Sequence, residues 1–67
     1  MKKYAIMING YGNRRRYCIV EVIATGTNPT DGKSYKSEEA ARAAAESLGI
    51  KIEGVGDLWE IMEYGRA

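Results

Sequence analysis

Arg14-Arg15-Arg16-Tyr17-Cys18-Ile19-Val20-Glu21-Val22-Ile23-Ala24-Thr25 is the stretch on which the fold turns. It is rich in β-branched residues and free of glycine and proline, so residues 14–25 read as a strand. Upstream, Tyr4, Ile6 and Ile8 recur at alternate positions, the mark of a second strand over 3–9. Between them lies Asn9-Gly10-Tyr11-Gly12-Asn13. Glycine and asparagine tolerate the positive φ that a tight reversal demands. So short a connection forces the two strands into an antiparallel hairpin.

The longer strand has two faces. Arg16, Cys18, Val20, Val22 and Ala24 form one, which carries no charge past Arg16 and is assigned to the core. Arg15, Tyr17, Ile19, Glu21 and Ile23 form the other. Glu21 among its apolar residues assigns that face to solvent or to a partner, although Ile19 and Ile23 would also suit a core. On this assignment Val20→Asp or Cys18→Asp unfolds the domain, while Ile19→Asp folds and weakens association. Cys18, in mid-strand among apolar neighbours, reads as an inert core residue.

Downstream, residues 26–33 read as a loop, with Asn28-Pro29-Thr30-Asp31-Gly32 as its turn. Residues 33–36 read as a short edge strand whose lysines discourage pairing with another chain. Ser37 followed by Glu38 and Glu39 is a helix start, and Gly49 a helix stop, which gives a helix over 37–48. Its apolar stripe is Ala40, Ala41, Ala44, Ala45 and Leu48. Residues 50–53 are a short extended piece and Gly54-Val55-Gly56 a turn. Residues 57–64 read as a strand bracketed by glycines, with Trp59 as a core anchor. The competing reading is a helix capped by Asp57 and Glu60, with Leu58, Ile61 and Met62 on one face. The expected fold is therefore α+β. A small antiparallel sheet, the N-terminal β-hairpin plus a C-terminal strand, carries one α-helix packed on one face.

Composition narrows the chemistry. With 67 residues the chain is a single domain, and 45% hydrophobic with 28% charged residues is ordinary for a globular one. No apolar run approaches the ~20 residues that span a bilayer. The apolar stretch after Lys2 and Lys3 is too short for a secretory signal, so a cytoplasmic location is expected. There is one cysteine and no histidine. That excludes an internal disulfide framework, the common zinc sites and every histidine-dependent triad. Gly10-Tyr11-Gly12 lacks the further glycine and the lysine-serine pair of a phosphate loop. Asp31, Glu53, Asp57 and Glu60 have no EF-hand spacing. A non-enzymatic protein without cofactor or metal is the expectation.

Charge is polarised along the chain. Up to residue 36 there are seven basic residues against two acidic ones; from Ser37 onward there are three against seven. The net charge of +1 conceals this asymmetry, which favours an electrostatically steered partner. The densest basic feature is Arg14, Arg15 and Arg16 beside Tyr11 and Tyr17. Arginines pair carboxylates or phosphates, and tyrosines anchor protein interfaces or stack on bases. Tyr17, Ile19 and Ile23 add an apolar stripe on a sheet face that a single helix leaves open. The candidate partner-binding residues are thus Tyr11, Arg14, Arg15, Arg16, Tyr17, Ile19 and Ile23. The open face would also serve a homodimer.

Residues 33–43, Lys-Ser-Tyr-Lys-Ser-Glu-Glu-Ala-Ala-Arg-Ala, locally resemble the strand-to-helix segment of the RNase H hybrid-binding domain. There an aromatic and a capping serine precede an acidic, alanine-rich helix. The module's tryptophan-and-cysteine helix has no counterpart here, and no function is carried over. In size and style the whole chain is similar to small phage-encoded inhibitors of host defence, the anti-CRISPR class. These are short α+β domains without catalytic residues and with polarised charge. The resemblance implies a stoichiometric inhibitor that binds and blocks a host protein in the host cytoplasm. The alternative expectation is a nucleic-acid-binding module built on Arg14, Arg15 and Arg16 with Tyr11 and Tyr17.

Overall fold

The computed structural model describes residues 2–66, with side chains described through residue 63. The hairpin forms as its sequence dictates. Strand β1 (Lys3–Asn9) pairs antiparallel with β2 (Arg16–Ile23), with Ala5 opposite Val20 and Ile6 opposite Ile19. The connection is a short 3-10 turn, Gly12–Arg14, closed by Arg14 N–H donating to the Tyr11 carbonyl at 3.0 Å. Gly10 makes it feasible. Its φ is +81°, and a Cβ there would lie 2.6 Å from the Arg14 carbonyl oxygen. Arg14 therefore sits on the turn, and only Arg16 belongs to the strand.

Strand β3 (Gly26–Tyr35) continues antiparallel along β2 and occupies the stretch read as a loop. The turn residues are real but serve a bulge. Val20 pairs with Pro29, yet Cys18 pairs with Ser34, so the intervening residues of β3 are extra. Asp31 holds this excursion, accepting from the Lys33 N–H at 3.0 Å and from the Tyr35 hydroxyl at 2.6 Å. β3 is an edge strand, where proline and a bulge are both tolerated and both discourage further pairing.

Helix α1 (Glu38–Ser47) starts at Ser37, whose hydroxyl accepts from the Ala40 N–H at 3.1 Å. It stops at Gly49 with φ +72°. The chain then enters β4 (Ile52–Gly56), which pairs in parallel with β1. Residues 54–56, read as a turn, are part of this strand. The sheet order is β3-β2-β1-β4, a mixed sheet rather than a purely antiparallel one. Residues 57–64, read as a strand, do not join the sheet. They form α2 (Leu58–Arg66) instead, capped by Asp57, which accepts from the Glu60 N–H at 2.9 Å. The fold class is α+β, with a second helix.

That second helix changes the packing. Neighbouring strand residues point to opposite faces. Ala5, Val20 and Val22 cluster with Ile61 of α2, and Met7 and Cys18 pack against them. Ile6 and Ile19 occupy the other face and are equally buried, at 0% and 1% exposure. The element over them is α1, which contributes buried Ala41 and Ala45 and touches β1, β2 and β3. The sheet is covered on both sides, so the open face expected from the sequence is absent. Ile19 is a core residue and cannot reach a partner. Ile23 is half-buried at the end of β2 remote from the arginines. The homodimer proposed for that face loses its surface. Trp59, read as a core anchor, is 77% exposed. Leu48 and Ala40, assigned to the buried stripe of α1, are exposed as well.

Among the described residues no helix is long and apolar enough to cross a membrane.

Candidate functional site

The topology gathers one end of the sheet into a single surface. β1 and β4 finish there, β2 begins there, and β3 arrives there with Tyr35 opposite Tyr17. Both helices also start there, directly after β3 and β4. In open sheets the crevice beyond the carboxyl ends of adjacent parallel strands is a recurrent ligand site, because the chain leaves it on two sides.

Two clefts of about 460 Å³ each open at this end and share Arg15 as a wall. The first is bounded by Gly12, Asn13, Arg15, Arg16, Tyr17 and Lys36. Three of these are cations and none is acidic. Among the described residues, no carboxylate lies within ion-pair distance of Arg14, Arg15, Arg16 or Lys36. Glu38, on the first turn of α1, is instead engaged by Arg42 at 2.8 Å. Arg16 donates from a terminal nitrogen to the Arg15 carbonyl at 3.1 Å, one of the five N–H donors that a guanidinium carries.

The second cleft is mixed. Ile8, Tyr11 and Leu58 supply apolar surface, while Arg15, Asp57 and Glu60 supply charge. Tyr11 is 91% exposed. Trp59 adjoins Leu58 in the first turn of α2, so the exposed aromatics stand at the same end as the arginines. Gly56 allows the tight passage from β4 into α2, since a Cβ there would meet the Glu60 side chain at 2.8 Å.

The sequence-derived candidates thus divide. Tyr11, Arg15, Arg16 and Tyr17 line the clefts, and Arg14 lies on the turn between them. Ile19 and Ile23 do not belong. Lys36, Leu58, Trp59, Asp57 and Glu60 were not anticipated as site residues. For the four on α2 and its cap the signal was present in the Asp57–Glu60 capping pattern, which puts Trp59 off the apolar face of a helix; Lys36 had no such signal.

Next to the clefts, Cys18 is half-buried in β2 and accepts weakly from the Asn9 side-chain amide at 3.7 Å. On the β3 edge, the Tyr35 hydroxyl holds the Asp31 carboxyl below its ordinary pKa, and Asp31 in turn raises that of Tyr35. A third groove, at the opposite end of the sheet, is lined by Lys2, Lys3, Tyr4, Lys51 and Glu53 among others. No cluster of described residues has the makings of a metal site. No protein-family model, curated protein or solved structure matches this chain.

Proposed function

We propose that the protein is a non-enzymatic protein-binding module that acts through the hairpin end of its sheet. The observation that carries this reading is the exposure of Tyr11 beside Arg15 in one cleft and of Trp59 in the first turn of α2 at the same end of the sheet. Tryptophan, tyrosine and arginine are the residues that dominate protein interfaces when desolvated. A large exposed indole in so small a domain costs solubility and contributes nothing to this core, which favours a role in contact. A domain of this size works by occupancy, so the action that suits it is stoichiometric blocking of the partner's surface.

The second reading, nucleic-acid binding, is favoured by one feature, the cleft of Arg15, Arg16 and Lys36 without a carboxylate. Against it stand Asp57 and Glu60 in the adjoining cleft. A phosphate backbone leading from the arginines to the exposed aromatics would run past both.

Affinity capture from lysate of the source cells, with wild type and Trp59→Ala side by side, tests the proposal. A mobility shift with random-sequence DNA and RNA at two salt concentrations belongs beside it. We expect a protein that wild type retains and Trp59→Ala loses, without a shift. Salt-sensitive shifts with no Trp59-dependent capture would instead establish the nucleic-acid reading, since released counterions make such binding steeply salt-dependent.

A further inference from the structure

We propose that the partner presents an acidic segment, with its carboxylates seated in the cleft of Arg15, Arg16 and Lys36 and an apolar residue following against Tyr11 and Leu58. This rests on the protein-binding reading and specifies the chemistry of its partner. Three cations face one concavity with no acidic residue in its wall. Like charges held together are unfavourable unless an anion joins them, so an incoming negative charge gains at this cleft. Guanidinium groups match carboxylates in a planar, paired geometry, and two of the three cations are arginines.

The neighbouring cleft decides between kinds of anion. Arg15 lines both the basic cleft and a neighbouring one that combines apolar Tyr11 and Leu58 with acidic Asp57 and Glu60. A nucleic acid carries a phosphate at every step and cannot follow that change of sign. A polypeptide can, by placing acidic residues first and an apolar or basic one next. The difference in charge between the two clefts is therefore complementary to a protein segment.

The test is a titration of the isotopically labelled protein with a blocked oligoglutamate peptide, read by amide chemical shifts. An oligothymidylate of matched charge is titrated in parallel. Saturable shifts are expected at Gly12, Asn13, Arg15, Arg16 and Lys36, with oligoglutamate binding the tighter. The double variant Arg16→Gln/Lys36→Gln should weaken the peptide about ten-fold, the loss of roughly two charge-assisted contacts. Lys51→Gln, at the opposite end, should not. These side chains are exposed, so the variants keep the fold, and their amide spectra verify it; Arg15→Gln serves as an independent variant. Three results would overturn the proposal: no saturable shift, shifts equal at Lys2, Lys3 and Lys51, or tighter binding of oligothymidylate. The titration needs no partner, so its failure leaves Trp59-dependent capture standing. Loss of that capture would likewise leave the cleft's anion preference intact.

Discussion

The two helices begin with the same device and then diverge. Ser37 caps α1 and Asp57 caps α2, each side chain accepting from the backbone N–H three residues on. Beyond the cap they cover opposite faces of one sheet in different ways. α1 seats Ala41 and Ala45, small residues that bring its backbone close over Ile6 and Ile19. α2 seats Ile61, a long side chain that reaches into the cluster of Ala5, Val20 and Val22. Among the described side chains of α2, Ile61 alone is fully buried, and Leu58 and Trp59 remain outside. A cap tells where a helix begins. Which side of it is hidden depends on the sheet beneath, and on α2 the side of Leu58 and Trp59 is left outside.

The comparison breaks most visibly if one face proves dispensable. Ile19→Asp buries a carboxylate under α1, and Ile61→Asp buries one under α2, in each case without a cation to meet it. A domain of this length has about 3–10 kcal/mol of stability. An unpaired buried charge plus a lost isoleucine removes about 4 kcal/mol or more. Both variants should therefore be unfolded or nearly so by circular dichroism and amide dispersion at neutral pH. A folded Ile19→Asp would mean that α1 does not close its face. A folded Ile61→Asp would mean the same for α2.

These two residues also show what the sequence disclosed. The hairpin, the cap at Ser37 and the stop at Gly49 were legible because each rests on local chemistry. The face of Val20 and Val22 was legible because it carries no charge. The face of Ile19 was misread because Glu21 marks it as polar, yet Glu21 is only half-buried and tolerated near the end of β2. Whether both faces are covered depended on a distant choice, the state of residues 57–64, because α2 covers Val20 and Val22 while α1 lies over Ile19. There the glycine brackets suggested a strand, while the capping pair Asp57 and Glu60 carried the decisive information. The parallel pairing of β4 with β1 was not legible, since Gly54-Val55-Gly56 has turn composition and only long-range pairing makes it a strand. The arginine and tyrosine part of the site was readable in sequence. Its tryptophan part was hidden by the same misreading that left a face open.

A smaller perturbation sharpens the helix comparison. Ser37→Ala and Asp57→Ala each remove a side-chain acceptor from a helix start, at a cost of about 1 kcal/mol. Asp57 also places negative charge at the positive end of α2, which adds about 0.3–1 kcal/mol when exposed. Asp57→Ala should therefore lower the urea midpoint at least as much as Ser37→Ala. Added salt should shrink the difference between them, because only the dipole contribution is screened. A larger effect at Ser37 would show that α1 carries more of the cooperative unit than α2.

The smallest effect lies on the β3 edge, outside both helices. Tyr35 donates to Asp31 at 2.6 Å, and this bond holds the Asp31 carboxyl below its ordinary pKa. A carboxyl depressed in the folded state stabilises it above its unfolded pKa of about 3.9 and loses that contribution as pH falls through the folded value. Wild type should thus exceed Asp31→Asn in stability by a constant margin at neutral pH, and the margin should vanish in acid below the ordinary carboxylate range. The margin will be slight, because the pair sits at a wet edge where charge interactions are screened. At high pH the sign reverses for the partner. Tyr35 is raised by the same bond, so its contribution is complete below its ordinary pKa of about 10 and is lost as pH climbs through the raised value. A direct reading is the carboxyl titration of Asp31 by NMR in wild type and Tyr35→Phe. Removing the hydroxyl should move the Asp31 midpoint upward. An unmoved midpoint would show that the bulge in β3 is held by the Lys33 N–H alone.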